Sequence, residues 1–265
     1  GHDQFIMEKQ IPSEKLLNTV IDKKVLIVGA GAIGATIAAW ISPHLSGLYV
    51  IDKGETQDIL EKKGITIYHI SNPEATRETI NVKTIDDIKK LPGIDIVILA
   101  VKNYDLESAA SMIHGALGDR PMVVSMQNGI LNQSVLPRYF SRVIYCVISY
   151  NARRDKPCVI GYQKKGPLYI GTPDNSLKEE ISLVSDILST GCETIVTERL
   201  QDTVHSKLVI NLTNGLDTLV GQGFKPVSDF RIYQRLFACT LYEGVRIIKT
   251  AGYREFPMHG MPSFL

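Results

Sequence analysis

Apolar residues follow two rhythms along this chain. From Lys24, the stretch KVLIVGAGAIGATIAAWIS reads as an unbroken apolar strand, a glycine turn and an apolar helix. GLYVID, residues 47–52, is a second short apolar strand. GITIYHI and TINVK read as strands, a hairpin inserted before the third main strand. IDIVILAVK, residues 94–102, is that third strand, and YDLESAASMIHGAL after it has helical spacing. PMVVSMQNG, RVIYCVISYNA and GPLYIGT predict further strands, and SLKEEISLVSDILSTG a helix with glutamates in its first turns. Apolar strands alternating with helices predict a parallel sheet covered on both faces.

After about Arg199 the rhythm becomes purely helical, over residues 202–219 and 226–252. The division expected is an α/β domain over residues 1–199 and an all-helical domain over 200–265 that reads as incomplete. Residues 1–22 read as an N-terminal extension. Within and just past it, residues 11–23 predict a short amphipathic helix with Ser13 as N-cap. Gly1-His2 reads as an expression-tag scar.

VGAGAIG places Gly29, Gly31 and Gly34 in the G-x-G-x-x-G spacing, interleaved with Ala30, Ala32 and Ile33. Gly29 permits the tight turn, Gly31 lets a pyrophosphate approach the backbone, and Gly34 lets helix and strand pack closely. The turn follows an apolar strand and opens an apolar helix, so the first domain is expected to be of the Rossmann dinucleotide-binding type. Asp52 ends the second strand, 18 residues past Gly34. An acid there hydrogen-bonds the ribose hydroxyls and favours NAD, while Lys53 beside it suits the 2′-phosphate of NADP. The two cues stay open on residue chemistry alone. Lys102 and Asn128 close two more strands, and ligands gather at the carboxyl ends of strands in open α/β sheets.

Composition narrows the partners. The formal charge is +1 and no basic tract occurs, which argues against a nucleic-acid partner. Cys146, Cys158, Cys192 and Cys239 form no metal-ligand spacing. Reduced thiols in a cytoplasm are expected, and no metal. No apolar run predicts a membrane span, and no signal-peptide layout opens the chain.

SKLVINLTNGLDTLVG, residues 206–221, predicts a buried helix among Leu208, Val209, Ile210, Leu212, Leu216, Leu219 and Val220. Lys207, Asn211, Asn214 and Thr218 interrupt it at offsets that place them on one face. A buried ammonium is costly unless something polar meets it. That face is therefore expected to floor a cleft.

With VGAGAIG, AVKNYDL, QNG, SKLVINLTN and the terminal MPSFL in this order, the chain resembles the ketopantoate reductases, or 2-dehydropantoate 2-reductases. The resemblance implies a Rossmann domain, a helical domain and a cleft between them. It implies NADPH-dependent reduction of ketopantoate to pantoate, on the route to pantothenate and coenzyme A. Lys207 then matches the catalytic proton donor, and Asn211 a substrate-binding asparagine with Asn214 nearby. Ser263 matches a serine on the substrate carboxylate. Asn128 falls near the nicotinamide ribose, Lys102 near the cofactor and Lys53 at the 2′-phosphate, which tips the expectation to NADP(H) over NAD(H). The chain departs from the family at Gly215 and Gln222, where asparagines are common. A functional glutamate of the family would fall after Leu265, so a truncated chain or an incompetent enzyme is also foreseen. The rival readings are an NAD-dependent reductase of another 2-keto acid and a non-catalytic dinucleotide-binding paralogue. A homodimer is allowed for, through the exposed face of the first helix.

Overall fold

The computed structural model describes residues 22–221 and 226–258. Most of the helix expected over residues 11–23, together with Gln222 and Ser263, lies outside them. β1 (Val25–Val28) runs through the glycine turn into α1 (Ala32–Ile41), then β2 (Leu48–Ile51) and α2 (Glu55–Lys63). A small insertion follows: β3 (Ile65–His69), the short α3 (Pro73–Thr76), β4 (Glu78–Ile80) and β5 (Lys83–Thr84). β6 (Ile96–Leu99), α4 (Asn103–Leu117), β7 (Met122–Ser125) and the short α5 (Asn132–Val135) lead to β8 (Val143–Ile148). Then come β9 (Ala152–Lys156), β10 (Val159–Tyr162), β11 (Leu168–Gly171), α6 (Lys178–Ser189) and β12 (Thr194–Val196). Two long helices close the described chain, α7 (Leu200–Val220) and α8 (Phe230–Thr250).

Eight strands form the main sheet in the order β12-β11-β8-β7-β6-β1-β2-β5. All neighbours pair in parallel except β11 with β8, so β11 and β12 run against the rest. The expected mixed α/β, mostly parallel architecture is present. Chain order reverses between β1 and β6, which is where such sheets open a ligand crevice at the carboxyl ends of their strands. The sheet's two faces carry separate cores. In β1, Val25 and Ile27 belong to one and Leu26 and Val28 to the other.

A second sheet of four strands, β4-β3-β10-β9, packs on the far side of α1. α1 is thereby sandwiched, and every residue from Gly34 to Ile41 is buried. That is the physical reason its sequence is apolar all round. Trp40 meets Tyr150 at a tilt and Tyr162 edge-on in this layer.

Five local expectations need correction. β3 and β4 do form the expected antiparallel hairpin, but in the second sheet. TINVK is not one strand: it spans β4 and the start of β5, which belong to different sheets. RVIYCVISYNA is also divided, since β8 ends at Ile148 and Ala152 opens β9. Beyond residue 199 the described chain is not helical throughout. Residues 253–258 run back along the start of α7, where Phe256 N–H donates to Ser206 Oγ at 2.9 Å and Arg254 N–H to Asp202 at 2.9 Å. Finally, α7 is buried only in part. Leu200, Val204 and Val209 are buried, but Leu212 and Leu219 face outward. α8 covers only one side of α7, with Gly244 packed closely on Val209 and Leu212.

Candidate active site

The three glycines differ in backbone geometry and in the space around them. Gly29 has φ of +100°, a region a side chain resists. A Cβ on Gly34 would collide with the Gly29 carbonyl oxygen and meet Ala100 Cβ at 2.9 Å. A Cβ on Gly31 would meet nothing within 4 Å. Gly31 is the N-cap of α1, no side chain caps that end, and its first turn holds no acidic residue. Open space, N–H groups that no side chain caps and a first turn without an acidic residue fit the pyrophosphate of a dinucleotide.

Asp52 sits at the end of β2 beside this cradle. Its carboxylate accepts from Ala30 N–H and from Lys53 N–H, so it braces the turn. Gln57, which the sequence did not single out, accepts from Asp52 N–H at 2.7 Å and donates to Ile85 O. Lys53 extends into solvent and pairs with Asp105 Oδ1 at 3.2 Å. Asp105 lies in the first turn of α4, whose N-cap is the exposed Lys102. Asn103 Nδ2 donates to Asn128 O at 2.9 Å and ties this end of α4 to the QNG turn after β7. Gly29, Asp52, Lys53, Lys102 and Asn128 therefore line one sheet edge.

α7 brings Lys207 to the same edge. Lys207 lines a narrow pocket with Asn128, Gln127, Asn132, Gln133, Tyr145 and Cys146. It is half-buried, and burial is the main cause that lowers its pKa, with the charge of Lys164 as the second. Burial also pushes Tyr145 up to about 12 and holds the Cys146 thiol well above its usual range, so both are neutral neighbours. Gln127 is buried and serves structure: its Nε2 donates to Leu99 O and Val101 O, both at 3.0 Å.

The rest of the seam is more open. Asn211, one turn past Lys207, is half-buried. Asn214 is exposed and reaches Asn211 Oδ1 at 3.5 Å. Thr218 is exposed and donates to Asn214 O. None of these three lines the Lys207 pocket. Ser263 lies outside the described residues. The site also contains residues that sequence reading missed. Lys164 arrives because β11 runs antiparallel, which turns the loop before it to the ligand edge. Asn132 and Gln133 arrive through the short α5. Their only sequence signal was nearness to QNG. No cluster of metal-ligating side chains occurs among the described residues, and no described helix is long and apolar enough to cross a membrane.

The fold and the glycine turn define a Rossmann-type α/β protein with a helical continuation. Comparison then gives the family: the sequence profile of the ketopantoate reductases, PanE/ApbA, matches residues 25–175, and the chain belongs to that family. A 2-dehydropantoate 2-reductase of Pyrococcus abyssi is 26% identical over 249 residues, covering 91% of this chain and 78% of the relative. One from Archaeoglobus fulgidus is 26% identical over 190 residues, 71% of this chain and 61% of its own length. The match thus spans less than two thirds of that relative. The crystal structure of 2-dehydropantoate 2-reductase from Geobacter metallireducens superposes with a TM-score of 0.77 at 19% identity, covering 89% of this chain and 79% of that one.

Proposed function

We propose that this chain is a cytoplasmic, NADPH-dependent reductase that converts 2-dehydropantoate to pantoate, in pantothenate and coenzyme A synthesis. One observation carries the reading: a half-buried lysine of α7 shares a pocket with the QNG turn at the ligand edge of a Rossmann sheet. Family membership supports the substrate, and four free thiols support a reducing compartment. Lys53, with its charge in solvent, supports a 2′-phosphate, for which it would exchange Asp105.

NADPH, when bound, supplies hydride to the ketone carbon. The chain's own residues manage the other half of the reaction. Backbone N–H groups of Gly31, Ala32 and the start of α1 hold the pyrophosphate. Lys207, as its ammonium, stabilises the negative charge that develops on the ketone oxygen and then gives that oxygen a proton, which leaves a neutral amine and the alcohol. Asn211 orients the keto acid from one turn away, and Asn214 supports Asn211. Ser263 is assigned to the substrate carboxylate by the family resemblance alone.

Lys207 must be protonated to act. Turnover is therefore full below its pKa and falls as pH rises through it. Because burial lowers that pKa, the fall begins below the ordinary lysine range. The test is NADPH oxidation with ketopantoate. Lys207→Ala is expected to lose on the order of a hundredfold in kcat and the alkaline fall with it. Near-normal turnover in that variant, or a wild type that prefers NADH, would refute the corresponding half of the proposal.

A further inference from the structure

Two amide side chains on successive residues lining the Lys207 pocket each leave one polar atom without a partner among the described residues. Asn132 is 3% exposed. Its Nδ2 donates to Ser125 Oγ at 2.7 Å, while its Oδ1 meets no donor among the described residues. Gln133 accepts at Oε1 from Gln201 Nε2 at 2.8 Å, while its own Nε2, shielded from solvent, finds no acceptor there. Buried amide groups are costly when unpaired, and native proteins leave few of them.

The orientation of Asn132 follows from its neighbours. The Leu99 and Val101 carbonyls can only accept, so Gln127 turns its NH2 to them. Its Oε1 must then accept from Ser125 Oγ, at 2.6 Å. Ser125, its proton committed, accepts from Asn132 Nδ2. That leaves the Asn132 oxygen for the pocket. The chain of bonds starts on the buried end of β6, so the amide is held rigidly. One acceptor and one donor thus line the same space as the Lys207 ammonium. The cavity volume there, about 10 Å³, admits a single water molecule.

Resting on the reductase reading for its consequence, we infer that Asn132 and Gln133 are positioning residues for Lys207: they hold one water molecule against its ammonium. That water accepts from Gln133 Nε2 and from Lys207, and donates to Asn132 Oδ1. Three bonds are the usual number for a buried water. With one N–H occupied in this way, the ammonium is kept from swinging and the others are aimed into the cleft. Among the described residues, the other titratable groups facing Lys207 are Lys164, on the loop before β11, and Tyr145 and Cys146 of β8, both neutral. On α7 itself His205 is engaged through Nδ1 with Gln201 O at 2.7 Å.

The test reads Lys207 directly. In protein labelled with ¹³C at the lysine ε-carbons, its titration is followed by NMR in the full chain, with Lys207→Ala giving the assignment. Asn132→Leu removes the acceptor and the water with it, so the ammonium loses a partner and its pKa falls by on the order of one unit. Gln133→Glu keeps the bond from Gln201 and puts a carboxylate at the water, so the pKa rises by a similar amount. A structural role alone predicts no such opposition of sign. Should Asn132→Leu fail to fold, Gln133→Glu decides. An unmoved titration in every folded variant overturns the inference. The reductase reading stands or falls separately, on the turnover of Lys207→Ala.

Discussion

Gly31 and Gly34 are alike in composition and opposite in what surrounds them. An added methyl at Gly34 meets the Gly29 carbonyl and Ala100, so backbone must move. Overpacking of this kind costs about 1–3 kcal/mol. Gly34→Ala is expected to lower the urea midpoint by a matching amount. An added methyl at Gly31 meets only open space. Gly31→Ala is therefore expected to keep the wild-type midpoint yet weaken NADPH binding at least tenfold, read by fluorescence titration. Equal midpoints for the two variants would contradict the packing account. The glycines were legible because turn chemistry is local and fixed by spacing. Asp52 and Lys207 were legible for similar reasons, one closing an apolar strand and the other interrupting an apolar helix. Lys164, Asn132 and Gln133 were not. Nothing local distinguishes them from solvated polar residues, and their neighbours lie far away in the chain.

Helices show the same division one level up. α1 was read correctly because a helix buried on all sides is apolar on all sides. α7 was read as buried on the same ground, yet Leu212 and Leu219 are exposed among the described residues. Apolar content marks what a helix can bury, and packing decides how much of it is covered. β9 and β10 were missed. ARRDK looks like a loop, but charged residues are what an exposed edge strand carries. β12, three residues long, is too short to show a period. The helix starts carry a quantitative expectation. Asp229 Oδ1 accepts from Arg231 N–H and Ile232 N–H, both at 3.0 Å, and caps α8. Asp229→Ala should destabilise the protein by about 1 kcal/mol, seen as a lower thermal midpoint. Dinucleotide affinity should not change, because α8 packs against α7 and away from the glycine turn. A loss of affinity would mean that α8 couples to the cradle.

At the scale of the molecule, stability concentrates in the main sheet. β1, β6, β7 and β8 are buried along their whole length, between two cores. α8 buries only Tyr233, Gly244, Val245 and Ile248. Native-state hydrogen exchange should therefore be slowest in those four strands and faster in α8 by orders of magnitude. Uniform protection across both would show one cooperative unit instead. The sequence by itself determined the class of fold, the glycine cradle and the acid beside it, and it marked Lys207 as a residue in need of an explanation. Period, turn chemistry and the cost of burying charge all act over a few residues, so a linear reading captures them. Only the tertiary structure decided which distant residues share the ligand edge. The reversal of chain order at β1 and β6, the antiparallel β11 and the second sheet over α1 each place residues far apart in the chain side by side. Such pairings depend on how strands and helices cover one another's apolar faces, which no stretch of the sequence records alone.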